Sequence, residues 1–221
     1  MAQPIIPPDP RKIEPRRSES SDVGRQPSLR TDSAVKAVVP ARRWAGGLAI
    51  AGAMGFVVVV SILHALQPGY DFVHQLMSEL ALGAYGWAMF VAFLSIAAAT
   101  FCIAFGIAQL QRSPWLQVVL AVAALGFLGA GVFPLDRASE WHIALIAVAF
   151  VAVILGMYLV PSIAPAQFGG KVKWVSWCLA GGTALSVLLG HSILPIGVGQ
   201  RLAAACVVAW LCFAGTRLRR S

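Results

Sequence analysis

The residues that could do chemistry begin in the segment 67–86. Within Asp71–Leu80, the polar side chains His74, Ser78 and Glu79 recur at helical spacing, opposite an apolar face. This pattern follows the break at Pro68-Gly69 and predicts an amphipathic helix that lies on a surface. Its polar face either meets water or turns inward over other helices, and the sequence leaves both alternatives open.

A second segment, 133–142, places Asp136 and His142 close together. Asp136 or Ser139 could cap a following helix, and His142 falls in or near the first turn of that helix. The positive end of the helix dipole disfavours a protonated imidazole there. A neutral imidazole beside a carboxylate suits a general base or a metal ligand, so the segment is a candidate site.

A third segment, 195–201, ends in Gln200-Arg201 at the start of the last apolar run. A cation at a helix start opposes the helix dipole and needs an anion nearby. We therefore expect Arg201 to pair with Glu79 or Asp136, or else with a lipid phosphate.

The composition indicates the class of protein that must position these residues. Apolar residues make up 58% of the 221 residues and charged residues only 12%, and the mean hydropathy is +0.77. Too few charges remain to cover a surface in water, which excludes a soluble enzyme. Four Cys in this length also exclude a secreted disulfide scaffold. The chain is predicted to be a multi-pass membrane protein.

Six apolar runs are long enough, or nearly so, to cross a bilayer. They lie at about 44–66, 87–111, 115–135, 142–164, 174–195 and 202–217, and the last is short. The prediction is an all-α bundle of six transmembrane helices over 44–217, with an interfacial helix in the first long loop. Small residues recur every four positions on the first helix (Gly47, Ala51, Gly55) and predict its packing face.

Residues 1–43 differ sharply from this domain, because they hold nine of the 17 Lys and Arg and seven of the 13 Pro. They are predicted to be a disordered basic tail, solvated rather than bound to nucleic acid. With the tail in the cytoplasm, 15 of the 17 basic residues lie inside, and only Arg137 and Arg201 lie outside. Both termini, including the short end 218–221, are therefore predicted to be cytoplasmic, in an inner (cytoplasmic) membrane. The four acids after residue 43 and all four His then fall at or near the outer side.

The chain resembles the uncharacterised bacterial membrane family numbered 998 among domains of unknown function. The resemblance covers about 60–217 and rests on short motifs that occur in the right order: Ser78-Glu79-Leu80, Gly83, Tyr85-Gly86-Trp87, Phe133-Pro134 with Asp136 and His142, and Gly199-Gln200-Arg201. It implies a six-helix fold and carries no established activity.

Two function classes remain. The first, which we favour, is a non-enzymatic protein that binds a lipid headgroup, a small solute or a membrane-protein partner, without a cofactor or metal. Its outer polar cluster is predicted to contain His74, Ser78, Glu79, Asp136, His142, Gln200 and Arg201. The alternative is an intramembrane metal-dependent lipid hydrolase, distantly similar to the zinc-dependent ceramidase and adiponectin-receptor superfamily. Ser78, Asp136, His142 and His191 would then form the site, with zinc activating a water, although no His-x-x-x-His pair occurs in the chain.

Overall fold

The computed structural model describes the backbone of residues 26–190 and 192–220, and side chains from Pro40 onward within those ranges. Every regular element in this part of the chain is helical. Two short 3₁₀ helices cover Met77–Leu82 and Gly170–Val172. The α-helices are α1 (Gln26–Leu66), α2 (Ala88–Ala108), α3 (Pro114–Val132), α4 (Ser139–Ile163), the one-turn α5 (Pro165–Phe168), α6 (Lys173–Leu189) and α7 (Ile196–Arg220).

Six of these helices contain segments long and apolar enough to cross a membrane. The segments are Pro40–Leu66, Ala88–Ala108, Pro114–Val132, Ser139–Ile163, Gly170–Leu189 and Ile196–Arg220. The predicted all-α, six-helix architecture is confirmed. The sixth span is not short as expected: α7 has 25 residues, because it starts in the Pro195-Ile196 turn and continues through the terminal arginines.

Residues 37–221 form one compact unit, which contains all six candidate spans. Helix α1 begins at Gln26, inside the segment that the sequence assigns to the tail, whereas its candidate span begins at Pro40. The tail prediction for residues 1–25 lies outside the described residues.

Successive helices pack as antiparallel neighbours, with α2 against α3, α3 against α4, and α6 against α7. The loops 67–87, 133–138 and 192–195 come together on one side, which we call the loop face. The connections 109–113 and 164–172, the start of the first span and the end of α7 form the opposite side, which we call the basic face. On the basic face, Arg217 Nε donates a 2.8 Å hydrogen bond to Gln167 O.

Glycines mark the closest helix crossings. A Cβ on Gly46 would lie 2.4 Å from Gly215 O, and one on Gly199 would lie 2.5 Å from Gly190 Cα. A Cβ on Gly47, in contrast, would meet no atom within 4 Å. The packing face predicted for the first helix from Gly47, Ala51 and Gly55 is therefore wrong at Gly47 and at the exposed Ala51, whereas Gly55 does lie against Ser95 of α2. The buried face instead contains Ala45, Ala49 and Ala53.

Candidate functional site

The first loop does not form the predicted amphipathic helix over 71–80. Gly69 adopts φ +92°, which favours glycine, and the chain then turns around Asp71. Asp71 Oδ1 accepts hydrogen bonds from Val73 N (2.8 Å) and His74 N (3.3 Å), and Oδ2 accepts one from His74 Nδ1 at 2.8 Å. The bond from His74, followed by those from the backbone, holds the pKa of the Asp71 carboxyl below its ordinary value. His74 is thus engaged in a local turn, with 71% of its side chain exposed.

Glu79 stabilises the start of the 3₁₀ helix Met77–Leu82. Its Oε1 accepts a 2.8 Å hydrogen bond from Leu76 N, and its Oε2 accepts a 3.2 Å bond from Gln75 Nε2. A carboxylate in the first turn of a helix satisfies amide groups that have no partner within the helix. Both oxygens of Glu79 are therefore used within its own loop.

Arg201 reaches from α7 into the same loop. Its Nη1 donates to Gly197 O (2.8 Å) and Gln75 O (3.2 Å). Its Nη2 donates to Tyr70 Oη (2.5 Å) and lies 3.0 Å from His64 Nε2. Among the described residues, the ion pairs are His74–Asp71 and Arg137–Asp136. The guanidinium of Arg201 therefore has no carboxylate of these residues within 4 Å. The expected pairing of Arg201 with Glu79 or Asp136 is wrong.

The partners of Arg201 are themselves fixed. His64 Nδ1 lies 2.7 Å from Val60 O and so carries the proton, which leaves Nε2 as the acceptor for Arg201. Tyr70 Oη donates to Leu76 O at 2.7 Å, and burial raises the pKa of this phenol. We call His64, Tyr70, Gln75 and Arg201 the Arg201 latch, since together they join α1, the first loop and α7.

Two neighbouring contacts seat the loop on α7. Gln200 Oε1 accepts a 2.5 Å hydrogen bond from Met77 N. Gly197 lies directly under the loop, because a Cβ there would fall within 2.7 Å of the carbonyl oxygens of Phe72, Val73 and Gln75. The segment Gly197–Arg201 therefore acts as a docking platform for residues 70–82.

Below this loop is a small central chamber of about 30 Å³, with room for one or two water molecules. Ser78, which is 2% exposed, and Gln200 supply its polar lining. The rest of the lining is apolar and includes Phe56, Phe93 and Phe127. A chamber this small cannot hold a lipid chain.

His142 forms a different kind of site at the start of α4. Its Nδ1 lies 2.9 Å from both Ala130 O and Phe133 O at the end of α3, so it carries the proton. The ring packs edge-on against Phe93, with 5.6 Å between ring centroids, and the residue is only 3% exposed. Its Nε2 is buried and has no hydrogen-bond partner. Buried polar atoms rarely lack a partner, so this acceptor is a notable exception.

The pocket beside His142, the His142 pocket, has a volume of about 290 Å³. Asp136 and Arg137 also line it, with Arg137 Nε 3.8 Å from Asp136 Oδ2. Trp87 and Phe90 form an aromatic wall and are exposed on the outside of the bundle. The lining of the pocket therefore includes the histidine with the unpartnered acceptor, charges of both signs and an apolar rim.

The seven predicted site residues thus separate into distinct places. Asp136 and His142 share the His142 pocket, and Ser78 and Gln200 share the central chamber. Met89 and Phe93 line both cavities and form the wall between them. Glu79 and Arg201 each bind loop backbone, and His74 faces outward.

Sequence reasoning did not place His64, Tyr70, Gln75 or Arg137 in a site. The sequence indicated that Arg201 needs hydrogen-bond acceptors. The acceptors that the structure shows are backbone carbonyl oxygens and neutral side chains. Such groups leave no charge signal in a sequence. No group of three His, Cys, Asp or Glu side chains suited to a metal occurs in the described part of the chain. His191, one member of the hypothetical zinc set, lies outside that part.

The fold and its cavities define the class of protein: a multi-pass integral membrane protein with six spanning helices. The chain belongs to the family described as protein of unknown function (DUF998), which matches residues 50–217. The resemblance noted in the sequence is therefore confirmed. No curated protein matches the chain, and no solved structure matches it.

Proposed function

We propose that this protein binds the headgroup of a membrane lipid in the His142 pocket. The observation that carries the proposal is the unpartnered Nε2 of His142, a buried atom of a residue that lines that pocket. Leaving a buried acceptor unsatisfied costs about 1–3 kcal/mol, and a ligand that donates a hydrogen bond removes this cost. The ligand must therefore carry an N–H or O–H group.

The other lining residues favour a headgroup with charges of both signs. Asp136 attracts an ammonium group and Arg137 attracts a phosphate, and both side chains are accessible at the pocket. Exposed Trp87 and Phe90 add aromatic faces, which also attract cations. A phosphoethanolamine headgroup supplies an ammonium with N–H donors and an adjoining phosphate, so it matches all of these groups.

The position of the pocket favours a lipid over a water-soluble solute. Trp87, Phe90 and Val132 line the pocket and are exposed on the apolar flank of the bundle. Aromatic side chains of this kind are enriched at the level of lipid headgroups. A headgroup could enter from the side while its acyl chains remain in the bilayer.

Binding should discriminate between phosphatidylethanolamine and phosphatidylcholine. Trimethylation removes every N–H donor from the ammonium but keeps its charge, so the bond to His142 Nε2 is lost. We expect the purified protein to retain phosphatidylethanolamine at least about fivefold more strongly, which corresponds to about 1 kcal/mol for one hydrogen bond. Native mass spectrometry of the detergent-solubilised protein, with the two lipids in competition, measures this ratio.

The matched variants for this experiment are His142→Gln and His74→Gln. The first should abolish the preference, whereas the second changes an exposed histidine that does not line the pocket. Asp136→Asn should weaken the binding of both lipids, because both carry a positive charge. Equal retention of the two lipids by the unaltered protein, or an unchanged preference in His142→Gln, would show that the proposed function is wrong.

We further infer that the loop face is the outer side and that both termini lie in the cytoplasm. The support is the distribution of the basic residues, because Arg137 and Arg201 are the only ones on the loop face among those whose side chains the structure describes. In a background without native cysteines, Arg137→Cys should react with an impermeant maleimide added to intact cells, and Lys171→Cys should react only after lysis. The reverse pattern would contradict this orientation.

A further inference from the structure

The basic face contains a third cavity, which involves none of the residues of the His142 pocket or of the central chamber. This cleft has a volume of about 450 Å³ and is lined by Pro40, Arg43, Trp44, Gly47 and Arg219. We call it the Arg43–Arg219 cleft. It lies where the first span begins and α7 ends, so its two cations come from opposite ends of the transmembrane domain.

The cleft is built by a close helix crossing. Gly46 and Gly215 bring the backbones of α1 and α7 together, because a Cβ on either would lie within 2.7 Å of the carbonyl oxygen of the other. A Cβ on Gly46 would also lie 3.0 Å from Arg219 Cγ, so the Arg219 stem lies against this crossing. Gly47, one residue further along α1, borders open space. The cleft therefore exists because small residues occupy the crossing and its margin.

The chemistry of the lining favours an anion with an apolar neighbour. Arg43 and Arg219 provide two guanidinium groups, and within the described residues neither lies within 4 Å of a carboxylate. Arg42, nearly buried on the adjoining side of α1, adds a third positive charge. Trp44 is 73% exposed and gives the cleft an apolar side of the kind found at the headgroup level.

We propose that the Arg43–Arg219 cleft binds the phosphate of an acidic phospholipid. A guanidinium group binds phosphate with two parallel hydrogen bonds, and two such groups match the oxygens of one phosphodiester. Trp44 packs beside the glycerol and the first acyl carbons. A zwitterionic lipid such as phosphatidylcholine also carries an ammonium group, which the two arginines repel. The site should therefore discriminate between lipids by the net charge of the headgroup.

The experiment is native mass spectrometry of the full-length protein with phosphatidylglycerol and phosphatidylcholine of identical acyl chains. We expect a tightly retained phosphatidylglycerol molecule and at least about fivefold weaker retention for each arginine removed, since one basic residue near a membrane contributes about 1 kcal/mol. The test variant is Arg43→Gln/Arg219→Gln. The control, Arg112→Gln/Lys171→Gln, removes two positive charges from the same face but not from the cleft.

A second pair of variants keeps every charge and tests the cleft itself. Gly47→Trp adds bulk to the cleft at a glycine whose Cβ would meet no atom within 4 Å, whereas Gly181→Trp places the same side chain at another glycine of this kind. The first should lose the retained phosphatidylglycerol, and the second should keep it.

Three outcomes would overturn the proposal. The first is equal retention of the two lipids by the unaltered protein. The second is an equal loss in the test and control variants of either pair, which would indicate general attraction to the basic face. The third is displacement of phosphatidylglycerol by millimolar inorganic phosphate, which would identify a site for free phosphate. The test and control variants all leave the His142 pocket unchanged, so a comparison between them is separate from a failure of the phosphatidylethanolamine experiment.

Discussion

Replacement of Arg201 by methionine should lower the free energy of unfolding by about 2–4 kcal/mol, one of the two largest effects we expect. Methionine keeps the apolar stem but removes the donors for Gly197 O, Gln75 O, Tyr70 Oη and His64 Nε2. These four acceptors are half-buried, so water replaces the lost hydrogen bonds only in part. Reversible unfolding in mixed micelles measures the change.

The matched control is Arg137→Met, because Arg137 is also on the loop face but is 84% exposed. It should change stability by less than about 0.5 kcal/mol. A double-mutant cycle of Arg201→Met with Tyr70→Phe should show coupling above about 0.5 kcal/mol, whereas the cycle with Asp136→Asn should be additive. Additivity with Tyr70→Phe would mean that the latch does not stabilise the fold.

Gly197→Ala should be comparably damaging, with a loss of about 1–3 kcal/mol from overpacking. The added methyl would lie 2.5–2.7 Å from three backbone carbonyl oxygens of the first loop. Backbone cannot move aside as a flexible side chain can, so the loop must lift from α7. This movement would also break the bond between Met77 N and Gln200 Oε1.

Limited proteolysis at residues 70–76 measures the lifting of the loop, and the same unfolding assay measures its cost. Gly181→Ala is the control, since a Cβ there would meet no atom within 4 Å. We expect faster cleavage only in Gly197→Ala. Equal cleavage of the two variants would show that the loop is not seated on Gly197.

The six spans were predictable because each requires about 20 apolar residues, and a run of that length is visible without any tertiary information. The helix that the sequence predicts over 71–80 does not form, although the periodicity of its apolar and polar residues is genuine. An α-helix there needs Gln75 O to accept from Glu79 N, but Arg201 donates to Gln75 O instead. Glu79 N therefore bonds to Leu76 O, which gives a 3₁₀ turn. Contacts from α7 override the local preference.

The candidate site was predictable only in its chemistry. Asp136 and His142 were expected to lie together because only five residues and one helix start separate them, and they do share a pocket. The aromatic wall from α2 was not foreseen, because no local pattern connects residue 87 with residue 142. The face of the first helix was misread for a similar reason. Small residues occur on two of its sides, and the positions of Gly215 on α7 and of Ser95 and Ala99 on α2 decide which side is covered.

The crossing of Gly46 and Gly215 has a consequence for the order in which the protein is assembled. Synthesis proceeds from the N-terminal end, so α1 enters the membrane long before its partner α7 exists. Until α7 follows, the contact face of α1 and the acceptors His64 and Tyr70 have no partner from that helix. Insertion of α7 then closes the crossing at one end and the Arg201 latch at the other. A nascent chain arrested before Ile196 should therefore keep its first loop open to protease, whichever lipids surround it.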